Sequence, residues 1–237
     1  MALRVAFDLD GTIADMEGAL QREAERLFGP NVLLRPAGSD HLDAPPSVDA
    51  VRDDTTKVVS PAEPKQVLAG RQLRQLWEHV VGIENFWTTL KEIEWGSVAR
   101  IAAMRNAHKL EVMFLTQRPD TEGEITQLQT QRWLEAHGFE LPSVFVLRGS
   151  RGLAASALQM DVVVDDRPEN CLEVATESKA RPLLVWRDPI EFVPSGATRL
   201  GIEVVPSLDE ALRHIEGMIS SAQKSTFVSR LRNVIGS

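Results

Sequence analysis

Short apolar runs alternate with stretches of helical periodicity along most of this chain. Five such runs lie at residues 3–7, 111–115, 144–147, 162–164 and 182–186. Between them, apolar residues recur at every third or fourth position, which is typical of amphipathic helices. Strands that alternate with helices favour the α/β class with a doubly wound parallel sheet.

The helices are predicted from periodicity, capping residues and helix breakers. They are expected at residues 15–28, 66–81, 85–90 and 97–107, after 152, after 168 and after 207. Thr121 and Glu124 have the spacing of a capping box, which predicts a further helix that ends at Gly138. Ser207 and Glu210 repeat this spacing before the last helix.

A helical insertion separates the first strand from the others. We therefore expect a core domain of residues 1–14 and 95–237 and a helical cap of residues 15–94. Within the cap, residues 35–64 contain five prolines among many Asp and Ser residues, which predicts a long loop. A lid over the functional site is the alternative role for this loop.

The most informative motif lies at the end of the first apolar run, where Asp8 and Asp10 precede Gly11. Side chains of a strand alternate in direction, so both carboxylates lie on one side of the chain. Two like charges this close favour a divalent cation with hard oxygen ligands, such as Mg²⁺, and a reaction on an anion. The alternatives are a simple turn after a strand and half of a calcium loop, whose remaining ligands are missing from the sequence.

Polar residues follow three later apolar runs in the same way. They are Thr116 and Gln117, Arg148 and Arg151, and Asp165 and Asp166. In parallel α/β sheets, ligands bind outside the carboxyl ends of the strands. We therefore expect these side chains to converge on Asp8 and Asp10 at one edge of the sheet.

A phosphate ester would give each of these side chains a role. Asp8 would attack phosphorus and form an aspartyl phosphate, while Asp10 would protonate the leaving oxygen and later take a proton from water. Thr116 would donate its hydroxyl to a phosphoryl oxygen, and Arg151 would balance charge on the transferring group. The later acidic pair would complete the Mg²⁺ site.

The order of these motifs resembles the haloacid dehalogenase (HAD) superfamily. The similarity covers residues 3 to about 186 and rests on Asp-Leu-Asp-Gly-Thr at 8–12, Thr116, a following cation and the later Asp-Asp pair. It implies a HAD-like doubly wound parallel sheet with the strand order 5-4-1-2-3 and a helical cap inserted after the first strand.

The resemblance also implies a catalytic set and a magnesium site. Asp8 would be the nucleophile, Asp10 the acid and base, and Thr116 the phosphate-binding hydroxyl. The Mg²⁺ ligands would be Asp8, the backbone carbonyl of Asp10 and one residue of the later pair. We favour Asp166 as that ligand and place Asp165 in the catalytic set, although the residues alone do not separate the two.

One position departs from the family pattern. The superfamily has a Lys ahead of the acidic pair, and no lysine occurs here between Lys109 and Lys179. Arg148 and Arg151 are the available cations, and Arg151 begins a helical stretch as the family's Lys does. Arg binds phosphate well but differs from a compact ammonium in reach. A catalytically weak HAD-like binding or regulatory domain is therefore the alternative from another functional class.

Within the superfamily, three stretches resemble the 5'(3')-deoxyribonucleotidases. They are the residues at 7–15, the aromatic pair Phe86-Trp87 with Leu90 before Gly96, and Val-Val-Asp-Asp-Arg-Pro at 163–168. This resemblance implies a Mg²⁺-dependent phosphomonoesterase for a (deoxy)nucleoside monophosphate, and a sugar phosphate or another small phosphate ester is the alternative substrate. The residues expected to bind the substrate are Thr116, Gln117, Arg148, Phe86 and Trp87. The two aromatic rings could stack on a nucleobase or serve in packing alone.

Composition and charge indicate which partners and which compartment the protein suits. The net charge of −8 disfavours polymeric nucleic acid, which requires a basic face, whereas a small phosphorylated substrate stays compatible. No apolar stretch reaches the length of a membrane span, and no signal-type segment begins the chain. The single cysteine, Cys171, excludes an intramolecular disulfide, so we expect a cytoplasmic protein. The oligomeric state is not predicted.

Overall fold

Parallel strands form the central sheet of this computed structural model, which describes residues 2–34 and 66–235, with side chains up to residue 221. The strands are β1 (Arg4–Asp8), β2 (Val32–Leu33), β3 (Gln66–Val67), β4 (Glu111–Thr116), β5 (Ser143–Val146), β6 (Val162–Asp165), β7 (Arg181–Val185) and β8 (Glu203–Val205). The helices are α1 (Met16–Phe28), α2 (Gly70–Val81), α3 (Ser97–His108), α4 (Thr126–Ala136), α5 (Arg151–Ala157), α6 (Pro168–Glu177), α7 (Ser195–Arg199) and α8 (Leu208–Ile235). The loop predicted at 35–64 lies outside the described residues.

The main sheet has six strands in the order β5-β4-β1-β6-β7-β8, and every neighbouring pair is parallel. When these six strands are numbered by their order in the sequence and read from the β8 edge, the order is 6-5-4-1-2-3. The order contains the predicted 5-4-1-2-3 and differs from it by one added edge strand, β8. The predicted α/β class with a doubly wound parallel sheet is confirmed.

Strand β1 lies inside the sheet and is covered on both faces. Val5 and Phe7 belong to one buried apolar cluster, and Ala6, between them, belongs to another. All three are fully buried. Since successive side chains of a strand point to opposite faces, helices must cover both sides of the sheet. This explains why the strand sequences are continuous apolar runs rather than alternating ones.

Two α-helices, a short 3-10 helix at Phe86–Thr89 and a small sheet occupy the described part of the insertion. Helix α1 begins after Asp15, whose carboxylate accepts a hydrogen bond from the Gly18 N–H at 2.8 Å. Strands β2 and β3 pair in parallel, and Leu20 of α1 and Trp77 of α2 are buried. These side chains share one apolar cluster with Phe7 of the main sheet. The division into a core and a cap stays a prediction.

Local boundaries differ from the sequence prediction in two places. The helix predicted from residue 66 begins at Gly70, because the preceding residues pair as β3. The capping box predicted at Thr121 does not form: this side chain exchanges hydrogen bonds with the Gln129 side chain, and α4 begins later, at Thr126. Tertiary contacts therefore override local propensity at both sites.

Other local features agree with the prediction or were not foreseen. The Ser207 hydroxyl accepts a hydrogen bond from the Glu210 N–H at 3.2 Å at the start of α8, as its spacing predicted. The short helix α7 and the edge strand β8, of five and three residues, were not predicted. Over the described residues, no helix is both long and apolar enough to cross a bilayer.

Candidate active site

A sharp turn after β1 places its two carboxylates at the carboxyl edge of the sheet. Asp8 ends the strand, and Gly11 follows with a φ of +89°, which favours glycine over residues with a Cβ. A Cβ at Gly11 would lie 2.1 Å from Oδ2 of Asp166. Glycine is therefore required both by the backbone conformation and by the close approach of a carboxylate from β6's end.

Three buried carboxylates meet beside this turn. Ligand oxygens of Asp8, Asp165 and Asp166 lie within 4.8 Å of one another, and these residues are 4%, 0% and 5% exposed. Neighbouring strands β1 and β6 bring them together. Oxygen-only donors at this spacing match the preference of a hard divalent cation. The chemistry of the donor set therefore fits a divalent cation of this kind.

Burial and mutual repulsion oppose ionisation of these carboxyl groups. Burial raises the pKa of Asp166 to about 7, and the neighbouring Asp165 adds to the shift. The pKa of Asp8 is raised well above its ordinary value, mainly by burial and against the effect of Arg151. Burial likewise raises the pKa of Asp165. A bound cation would therefore stabilise the ionised form of these three carboxyl groups.

The two residues of the later acidic pair have different surroundings. Asp165 accepts hydrogen bonds from the Asn170 Nδ2, at 3.0 and 3.1 Å, and from the Arg167 N–H at 2.9 Å. Asp166 accepts one from the Thr12 hydroxyl at 2.9 Å. Protein N–H donors therefore already occupy both oxygens of Asp165.

Of the two predicted cations, Arg151 reaches the cluster. Its guanidinium contacts Asp8 through Nη2 and lies 3.3 Å from Asp165 through Nε. Its side chain is 3% exposed, and its Nη1 has no hydrogen-bond partner among the described residues. Burial works to lower the pKa of Arg151, but Asp8 and Asp165 raise it further, so the guanidinium stays charged.

Close packing of α5 on α6 fixes the position of Arg151. The Arg151 N–H donates to Oε2 of Glu173 at 2.7 Å. A Cβ at Gly152 would lie 2.2 Å from the backbone oxygen of Glu173, so only glycine allows the two helices to approach this closely. By contrast, Arg148 is 87% exposed and lies 3.5 Å from Asp120. The structure therefore brings Arg151 to the acidic cluster and leaves Arg148 at the surface.

Asp10 has partners that the sequence analysis only partly identified. The Thr116 hydroxyl donates to its Oδ2 at 2.9 Å. Arg118, which the sequence analysis missed, donates to both of its oxygens at 2.7 to 2.9 Å. The sequence could have indicated this residue. Arg118 lies two residues after Thr116, as Asp10 lies two residues after Asp8, so the same alternation places Arg118 on the side of the chain that carries Thr116.

The remaining predicted substrate-binding residues make contacts within the protein or are buried. Gln117 is half-buried and donates from Nε2 to the Gly149 carbonyl at 3.1 Å, which ties two loops together. Phe86 and Trp87 are 2% and 0% exposed and pack edge to face. The Trp87 indole N–H donates to the Pro119 carbonyl at 2.9 Å. Neither aromatic ring is open to a ligand in this structure.

A cavity of about 290 Å³ adjoins the acidic cluster at Asp10 and Asp166. Its apolar wall comes mainly from α1 and from the end of β7 with the residue that follows, and it includes Leu20 and Trp186. Asp188 also lines it. A concave site with an apolar wall and a few polar groups suits a small organic molecule.

Comparisons with known proteins support the fold. No family model matches the chain, and no curated protein matches it. Several solved structures do match the chain. One is a HAD family hydrolase from Deinococcus radiodurans R1 with bound phosphate and sodium, which superposes with a TM-score of 0.54 and 18% sequence identity. The match covers 92% of this chain and 96% of that one. A predicted phosphatase from Clostridium acetobutylicum has a TM-score of 0.53 and 13% sequence identity, and the match covers 92% of this chain and 99% of that one. A hydrolase from Pseudomonas syringae has a TM-score of 0.50 and 15% identity, and the match covers 91% of this chain and 98% of that one. Identities this low establish the fold alone, and the chain therefore has a haloacid dehalogenase-like fold.

Proposed function

We propose that this protein is a Mg²⁺-dependent phosphomonoesterase that forms an aspartyl phosphate on Asp8. The observation that carries the proposal is the contact of one buried arginine, Arg151, with a buried cluster of three carboxylates at the carboxyl edge of a HAD-like sheet. Solved structures with this fold include hydrolases and a protein with bound phosphate.

The unpaired donor of Arg151 supports an anionic substrate. A buried N–H without an acceptor costs about 1 to 3 kcal/mol. A phosphoryl oxygen beside Asp8 would supply the acceptor that Nη1 lacks among the described residues. Arg151 would then bind the transferring group and orient it toward the Asp8 carboxylate.

The two transfer steps assign separate roles to Asp8 and Asp10. An oxygen of Asp8 attacks phosphorus, the ester P–O bond breaks, and Asp10 gives its proton to the leaving oxygen. Water then attacks the phosphorus of the aspartyl phosphate, Asp10 takes a proton from that water, and the bond to Asp8 breaks to release phosphate. Thr116 donates its hydroxyl to a phosphoryl oxygen during both steps.

Asp8, the backbone carbonyl of Asp10 and Asp166 would hold Mg²⁺. The protein donors around Asp165 support Asp166 as the ligand, because oxygens that accept several N–H bonds are poorly placed to bind a metal as well. When bound, Mg²⁺ screens the repulsion between a carboxylate and a phosphate dianion.

The substrate we favour is a small phosphate monoester whose organic part enters the cavity beside Asp10. A (deoxy)nucleoside monophosphate remains the first candidate from motif resemblance. The burial of Phe86 and Trp87 removes the two rings that the sequence analysis assigned to base stacking, and so favours the second, a sugar phosphate or similar ester. Carboxylates such as Asp188, which is exposed in the cavity wall, suit hydroxyl-bearing leaving groups.

Hydrolysis of p-nitrophenyl phosphate with and without Mg²⁺ tests the proposal. The wild-type protein should release p-nitrophenol only with the metal, and Asp8→Asn should abolish turnover while its thermal unfolding stays cooperative. Asp120→Asn, which changes an exposed carboxylate, is the matched control. A metal-loaded wild-type protein that hydrolyses no ester would instead support the binding or regulatory alternative. A panel of nucleotides and sugar phosphates then separates the two substrate classes.

A further inference from the structure

Arg118 is a buried cation directed at Asp10. It follows β4, and its side chain is fully buried. Its Nε lies 2.9 and 2.8 Å from the two oxygens of Asp10, and its Nη2 lies 2.7 Å from Oδ1. A planar guanidinium bound at both oxygens fixes the rotation of a carboxylate, which an ammonium cannot do.

The guanidinium is itself held from two other directions. Its Nη1 donates to the Thr130 hydroxyl of α4 at 3.1 Å. The ring of Trp87 lies 5.0 Å from its Cζ, within the range of a cation–π contact. Because Trp87 also donates to the Pro119 carbonyl, the loop that carries Arg118 is fixed by the same side chain. The orientation of Arg118 is therefore set by contacts outside the reacting centre.

Stability alone explains this ion pair poorly. A buried ion pair contributes little to stability compared with apolar residues of the same size, because both charges lose their hydration. The position also lies next to the proposed reacting centre, since Asp10 lines the cavity that would take the organic part of the substrate. An orienting role accounts for both features.

The hydrogen bonds of Asp10 explain how an oriented carboxylate can still exchange a proton. In the free protein, Oδ2 accepts from both Arg118 and Thr116. A threonine hydroxyl has a single proton to donate. When it turns to a phosphoryl oxygen, as the proposed function requires, Oδ2 loses one donor and can meet the leaving oxygen, while Arg118 keeps the carboxylate in place.

We propose that Arg118 is a positioning residue, which orients Asp10 toward the leaving oxygen of the substrate. This inference rests on the proposed function and assigns Arg118 no contact with the substrate. It predicts that the loss of Arg118 damages proton transfer to the leaving group more than substrate binding. Esters with poor leaving groups should therefore be affected most.

The test compares two substrates with different leaving groups. Arg118→Met should lower kcat/KM for an alkyl ester, glycerol phosphate, by roughly 100-fold or more, which is the usual size of a general acid–base effect. The loss of kcat/KM on p-nitrophenyl phosphate, whose leaving group needs no proton, should stay within about tenfold, because kcat/KM reports the first transfer and not the hydrolysis of the aspartyl phosphate that both esters share. The inhibition constant of inorganic phosphate should change little. Arg132→Met, which removes a half-exposed arginine of α4, is the matched control and should leave both rates unchanged.

A second comparison shows whether Arg118 acts through Asp10. In an Asp10→Asn background, Arg118→Met should cause no further loss, because the group it orients is already disabled. Arg118→Lys keeps the charge without the two-point contact, so its loss should also be confined to glycerol phosphate. If Arg118→Met does not fold, the activity of Arg118→Lys on the two esters tests the inference in its place.

Two results would overturn the inference. They are equal losses of kcat/KM on both esters, and losses that multiply in the Asp10→Asn background, since either would show that Arg118 serves folding or packing only. A wild-type protein that is inactive on both esters is a different failure, because it refutes the proposed function itself.

Discussion

The buried acidic cluster predicts that the metal-free protein becomes less stable as the pH rises toward neutral. On folding, the pKa of Asp166 rises from its ordinary value of 3.8 to about 7, because of burial and the nearby Asp165. Between those two pH values, the native state binds more protons than the unfolded state. The free energy of unfolding therefore falls through this window as the pH rises, and it levels off above about 7.

The expected magnitude follows from this one carboxyl. At about 1.4 kcal/mol per pH unit, raising the pH from 5 to 7 lowers the free energy of unfolding by roughly 2 kcal/mol. For a chain of 237 residues, the melting temperature should fall by roughly 4 to 8 °C. The raised pKa values of Asp8 and Asp165 act in the same direction.

A group with a lowered pKa acts in a different range. Burial works to raise the pKa of Glu94, but hydrogen bonds from the Leu208 N–H and Arg187 lower it below its ordinary value of 4.5. Its stabilising contribution is complete above that value and is lost only as the pH falls further. It therefore does not mask the effect of Asp166 between pH 5 and 7.

Thermal unfolding in EDTA at several pH values from 5 to 8 is the measurement. Asp166→Asn should flatten the pH dependence, whereas Asp120→Asn, at an exposed site, should keep it. Mg²⁺ should raise the melting temperature more at pH 7.5 than at pH 5, because its ligands must be deprotonated. A melting temperature in EDTA that is constant or rises from pH 5 to 7 would refute the reasoning, as would an unchanged slope in Asp166→Asn.

Five further substitutions have definite expected outcomes. Gly11→Ala should destabilise the protein by about 2 kcal/mol or more in thermal unfolding and abolish phosphatase turnover, because its Cβ would overlap Asp166. Arg151→Ala should reduce kcat on p-nitrophenyl phosphate by about 100-fold or more, Arg151→Lys should retain part of it, and Arg148→Ala should match the wild type. Trp87→Ala should lower the free energy of unfolding by about 3 to 5 kcal/mol, whereas a change in KM for nucleotides with no loss of stability would restore the base-stacking role.

The placement of the acidic cluster could be predicted because it depends on few assumptions. Asp8 and Asp165 each end an apolar run, and the carboxyl ends of parallel strands share one edge. Only the adjacency of β1 and β6 had to be added, and the family resemblance supplied it through the strand order. Arg151 followed from its place in the first turn of a helix, although the sequence alone kept Arg148 as an alternative.

Tertiary packing decides the features that the sequence did not reveal. Phe86 and Trp87 have the composition of either a stacking platform or a buried contact, and only their burial against the loop around Pro119 distinguishes these uses. Arg118 was overlooked because a basic residue after a strand is most often solvated. Its spacing from Thr116 put both side chains on one side of the chain, but the contacts with Trp87 and with Thr130 of α4 are tertiary and could not be predicted from the sequence.

The charges at this edge of the sheet give a physical reason for a divalent cation. We consider six groups there: the carboxylates of Asp8, Asp10, Asp165 and Asp166, and the guanidinium groups of Arg118 and Arg151, which pair with Asp10 and with Asp8 and Asp165. With every group ionised, this set carries a net charge of −2, which repels a phosphate dianion. A single Mg²⁺ would neutralise it and would also replace the proton that the raised pKa of Asp166 otherwise retains near neutral pH. The same ion would therefore stabilise the charged form of the cluster and permit the anionic substrate to enter, which couples folding stability to catalysis at one site.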